Sequence, residues 1–161
     1  MKNIFLYSLL CLFLAATCSN SPASKPSTLQ EAASNYSTPL YINNKKILVE
    51  IVNTPDKMQH GLSYRKNLLE NQGMLFQFEK SQQANFWMKD MNFDIDIIWI
   101  QEKKIVGINS NVPAPVKDQD SKINNTNLPT YPSPGTVDMV LEVTAGWSEK
   151  NNIKTGDRIS F

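Results

Sequence analysis

The chain has 161 residues, with 16 Lys plus Arg against 15 Asp plus Glu and a formal net charge of +1. That balance, with no basic run anywhere, argues against nucleic acid as a partner. Two cysteines, Cys11 and Cys18, both near the amino terminus, leave the rest of the chain without a thiolate nucleophile, a disulfide framework or Cys-ligated zinc.

In chain order, Lys2 precedes an almost unbroken apolar stretch from Ile4 to Ala16, shorter than the ~20 residues a permanent membrane helix requires. The pattern predicts an export signal over residues 1–17. It ends in Leu14-Ala15-Ala16-Thr17-Cys18, which resembles a lipoprotein cleavage box, although Thr17 stands where Gly, Ala or Ser is usual. Cys18 is the predicted lipidation site, because lipid attachment would consume the one thiol left in an exported protein. The alternative is cleavage at another small residue such as Ala23, giving a soluble periplasmic or secreted protein. Residues 18–38 are rich in Ser, Ala, Pro, Asn and Thr and read as a flexible tether. Residues 39–161 read as a single β-rich domain, large enough for its own core.

Within that domain, Leu40 to Ile42 and Lys46 to Val52 flank Asn43-Asn44 and predict a hairpin. Thr54-Pro55-Asp56 starts a helix expected to run to about Tyr64, with Met58 and Leu62 facing the core. Further strands are expected at Met74 to Phe78, Ala84 to Met88, Ile95 to Ile100 and Ile105 to Ile108. Val112 to Thr136, carrying Pro113, Pro115, Pro129, Pro132 and Pro134, reads as a long loop. In the next strand Val137, Met139, Leu141 and Val143 alternate onto one face, and Asp138, Val140 and Glu142 onto the other. A short helix from Trp147 to Asn152 and a strand from Arg158 to Phe161 close the chain. The pattern is all-β with two short helices, a small, mostly antiparallel barrel or sandwich.

Three runs carry a family resemblance: Gly73-Met74-Leu75-Phe76, Phe86-Trp87-Met88-Lys89 and Asp96-Ile97, with Gly61, Leu62 and Arg65 before them and Leu141-Glu142 and Gly156-Asp157 after. They resemble the domain of unknown function 192. That resemblance implies a β-barrel or sandwich and no assigned activity. His60, Ser63, Asp90-Met91 and Asp94 depart from the pattern as it usually stands.

Arg65, Lys89, Asp96 and Glu142 are charged residues set among apolar neighbours, where charge is costly unless paired. One reading is a structural network, with Lys89 paired to Asp96. The other is a ligand site formed by Arg65, Trp87, Lys89, Asp96, Tyr131 and Glu142. Asp94 and Asp96, two apart, offer weak ground for hydrolysis, and the lone His60 gives no mechanism. Thioethers with His60, chiefly Met88 and Met91, could suit Cu(I), and Trp87, Trp99 and Trp147 could contact a glycan. The expectation is a non-catalytic domain without a cofactor, tethered to a membrane through Cys18, binding a small polar ligand or an envelope component. The alternative is an accessory envelope lipoprotein with no small-molecule site.

Overall fold

A computed structural model describes residues 35–117 and 122–161. The expected signal, Cys18 and most of the expected tether lie outside the described residues. Near the start of the described residues Tyr36 is 5% exposed, and the first strand, β1, runs over Thr38–Ile42.

β1 turns through Asn43, at φ 53°, into β2, Lys45–Val52. Helix α1, Pro55–His60, follows, with Pro55 in its first turn. It stops a turn short of the expected end because Gly61 takes φ 51°, ψ −132°, a conformation that a side chain resists. β3 spans Gln72–Trp87, β4 Ile95–Gln101, β5 Lys104–Val112 and β6 Thr130–Thr144. The short helix α2, Trp147–Lys150, and the strand β7, Ile159–Ser160, complete the chain.

The strands form one sheet in the order β5-β4-β6-β3-β2-β1-β7, antiparallel except for β2 beside β3. It curls into a half-barrel whose outer strands meet at one end. There Gly156 N–H donates to Ile105 C=O (2.8 Å), Ile105 N–H to Asp157 C=O (2.8 Å) and Ile159 N–H to Lys103 C=O (2.9 Å).

Strand alternation buries both faces of the sheet. The inner cluster draws on every strand, including Leu40, Ile47, Leu75, Ile98, Ile105, Leu141 and Ile159, with Trp147 from α2. Gly73 makes this possible, since a Cβ there would meet the Leu141 side chain and the Glu142 carbonyl, each at 3.0 Å. The outer cluster holds Val52, Leu62, Met74, Phe76, Met88, Met91, Ile97 and Trp99. Met58 only packs against it half-buried, while Leu62 is 2% exposed.

Three expectations are corrected. Met74 to Phe78 and Ala84 to Met88 are not separate strands but parts of β3, joined across a register shift between Gln77 and Gln82. The end of the proline loop, from Thr130, belongs to β6, and Val137 packs in the outer cluster rather than with Met139, Leu141 and Val143. Pro134 fits because it lies against Gly107, where a Cβ would stand 2.9 Å from its ring.

Candidate functional site

On the outer face, register aligns Glu50 of β2, Met74 of β3, Glu142 of β6 and Ile97 of β4 in one cross-strand row. Two acids thus stand in a largely apolar row, and among the described residues only Glu50 has a charged partner in contact. Arg65, placed by the chain after α1, forms an ion pair with Glu50 Oε2 (2.8 Å) and donates to the Tyr36 hydroxyl. Its guanidinium lies 5.4 Å from the Tyr36 ring centroid. Burial raises the Tyr36 pKa, with the Arg65 charge opposing the rise.

Glu142 lies beyond Met74 and is 5% exposed. No hydrogen-bond donor reaches its carboxyl among the described residues. Burial pushes it up to about 8, and the attraction of Arg65 only partly offsets that rise. A carboxyl in this setting is neutral at pH 7 and can donate or accept a hydrogen bond.

This carboxyl lines a cavity of about 440 Å³ between α1 and β3. Phe76, Phe86, Met91 and Leu62 make the cavity wall beside it. Phe86 is held edge-on between Phe76 (4.9 Å) and Trp99 (5.5 Å). Gln59, Ser63, Gln82, Gln83 and Asn85 supply uncharged hydrogen-bonding groups. Trp87, 54% exposed, and Lys89 also line the opening, the ammonium 5.5 Å from the indole centroid. The turn carrying Lys89 is pinned, since Ser63 Oγ–H donates to its carbonyl at 3.0 Å. Next to it Asp90 accepts from Tyr64 Oη–H (2.7 Å) and Asn125 Nδ2–H (2.6 Å), which ties the long loop to this rim.

The structure separates the six expected site residues. Trp87, Lys89 and Glu142 share the cavity. Arg65 lines a neighbouring hollow of about 340 Å³ together with Glu50, and the two hollows share His60 and Gly61. Tyr131 pairs with Phe86 across the sheet and packs against the outer cluster, outside the cavity lining.

Asp96 is not part of this face, and it does not pair with Lys89. Strand parity places it with Ile98 and Ile100, and its carboxyl accepts the N–H of Asn111 (2.9 Å), Gly146 (3.0 Å) and Ser148 (2.8 Å). It fixes the turn into α2, a structural duty. Asp94 likewise accepts the Ala114 N–H (2.7 Å), so the two acids hold loops rather than face one another as a hydrolytic pair.

Trp99 and Trp147 are core residues, 1% and 5% exposed, which leaves Trp87 alone at the surface. Of the thioether candidates, Met88 is buried in the outer cluster away from the cavity, whereas Met58, Met91 and His60 line it. No group of three or more His, Cys, Asp or Glu able to hold a metal occurs among the described residues. Glu50, Phe76 and Phe86 were absent from the expected site. An acid in the apolar run Leu48-Val49-Glu50-Ile51-Val52 is the signal that could have identified Glu50.

A family model described as Uncharacterized ACR, DUF192, matches residues 39–161. No curated protein is significantly similar to the chain. Two solved structures share its fold. A candidate transcription regulator from Sinorhizobium meliloti 1021 is 25% identical at a TM-score of 0.64, over 76% of this chain and 89% of that one. A protein of unknown function from Novosphingobium aromaticivorans DSM 12444 is 22% identical at a TM-score of 0.68, over 89% of this chain and 94% of that one.

Proposed function

Given that the chain belongs to the DUF192 family, we propose that its folded domain is a non-catalytic binding module. It takes a small polar ligand into the cavity between α1 and β3, and is exported and held to a membrane by a lipid on Cys18. The observation that carries the binding reading is Glu142, a buried acid with no hydrogen-bond partner among the described residues, which lines a cavity of ligand size. An apolar residue at this position would suit the row of Met74 and Ile97 better. A purely accessory domain has no use for such a group.

The other charges divide between the two readings. Arg65 is paired and Asp96 is enclosed, as an accessory domain would have them, while Lys89 is exposed at the cavity opening. The export reading is supported by Lys2, the apolar stretch Ile4 to Ala16 and the box ending at Cys18.

A thermal-shift screen of small polar compounds on the purified protein tests the binding reading, because a ligand of the native state raises apparent stability by mass action. A true ligand stabilises the wild type and loses most of that effect in Glu142→Gln. A broad screen without such a compound would overturn the reading.

A second reading has its own observation. Met58, Met91 and His60 line the same cavity, and two thioethers with an imidazole are a donor set suited to Cu(I). Competition against a Cu(I) chelator tests it: Met91→Leu must weaken retention of the metal if the reading holds, and Glu142→Gln must not.

A further inference from the structure

The binding reading leaves the class of ligand open, and the inference drawn here rests on that reading. We propose that the cavity receives an organic ammonium ion bearing an apolar or aromatic group, with its N–H donors on the Glu142 carboxylate. What the fold withholds from Glu142 is a positive charge. Its cross-strand neighbours Met74 and Ile97 offer no donor. Arg65, whose charge acts on it from among the described residues, is engaged by Glu50 and Tyr36.

The walls point the same way. Phe76, Phe78, Phe86 and Trp87 line the same cavity as Glu142, and aromatic faces attract cations, organic ammonium ions above all. An anionic ligand would meet a second acid in the enclosed part of the cavity and find its counter-charge only in Lys89. That lysine is exposed, and its charge is screened by solvent. Lys89 instead sets orientation, since a bound ligand is repelled by the lysine if its ammonium lies at the opening and not if the ammonium lies at Glu142. The other ionisable group lining the opening is His60, on α1.

Binding balances simply. Glu142 gives up its carboxyl proton to solvent, the ligand's nitrogen keeps its own protons, and an ion pair replaces a solitary acid.

The test is isothermal titration calorimetry on the full chain at pH 7 with three probes of one shape: phenethylammonium, 2-phenylethanol and phenylacetate. The ammonium ion should bind at least about tenfold more tightly than either of the others. Repeating the titration in buffers of different ionisation enthalpy should show proton release on binding. Glu142→Gln, which places a neutral amide where the acid has no partner, should fold and lose both the preference and the proton release. Trp87→Ala, at an exposed position, should weaken the ammonium ion several-fold. Equal or tighter binding of the alcohol or the carboxylate would overturn the ammonium assignment while leaving the cavity a binding site. If none of the three binds while another compound from the thermal-shift screen does, the ammonium assignment alone fails; if nothing binds in either experiment, both fall.

Discussion

Glu50 and Glu142 stand in one row, separated by Met74, and differ in whether a guanidinium reaches them. The consequence for Glu142 is a link between stability and pH. Its carboxyl ionises near 4.5 when free and at about 8 in the fold, so between those values the unfolded chain sheds a proton that the native state retains. Stability is therefore full below pH 4.5 as far as this group is concerned, falls as pH rises, and levels off above 8. The loss over that range should be on the order of 2–4 kcal/mol. Glu142→Gln should abolish that fall, matching the wild type at pH 4 and exceeding it at pH 7.5. Urea midpoints at the two pH values decide it, and a variant no more stable than the wild type at pH 7.5 would show that Glu142 carries no burial penalty.

At the scale of elements, legibility followed the length of the local signal. The β1–β2 hairpin was readable because Asn43 tolerates positive φ, and the start of α1 because Pro55 suits a first turn. β3 was read as two strands because Glu79, Lys80, Ser81, Gln82 and Gln83 carry no apolar alternation. Gln82 and Gln83 pair with β6 all the same, and Glu79, Lys80 and Ser81 lie in the register shift that β3 crosses without a break. The site was legible only in part for a related reason. Sequence marks an acid in an apolar strand, as at Asp96 and Glu142, but not what lies opposite it. Asp96 is satisfied by backbone amides at positions 111, 146 and 148, distant in sequence, while no hydrogen-bond donor among the described residues reaches the Glu142 carboxyl. Asp96→Ala should therefore cost about 3–5 kcal/mol, because several enclosed N–H groups lose their acceptor together. Amide exchange should quicken at Asn111, Gly146 and Ser148. Lys89→Met, at an exposed position, should change stability by no more than ~0.5 kcal/mol. Equal costs for the two would restore the idea that they form a pair.

For the whole molecule, the sheet depends on its curl: Leu141 sits on a central strand and Ile159 on the strand that closes the half-barrel, and both belong to the inner cluster. Leu141→Ala should cost ~2–5 kcal/mol and Ile159→Ala a comparable amount, read from denaturant unfolding, because each opens a cavity in the same core. The limit of the folded unit follows from the same reasoning. Removal of residues 1–34 should leave stability within ~0.5 kcal/mol of the full chain, whereas removal through 38 takes away Tyr36, a partner of Arg65, and should destabilise measurably. The remaining question is where the molecule is held. If Cys18 carries the lipid, Cys18→Ser should move the protein from the membrane to the soluble fraction without altering its unfolding transition, since the anchor and the fold are separate parts of the chain. Fractionation together with metabolic lipid labelling reads this out. A Ser variant that stays with the membrane, in a protein that never takes up label, would remove the lipid anchor while leaving the cavity chemistry of Glu142 untouched.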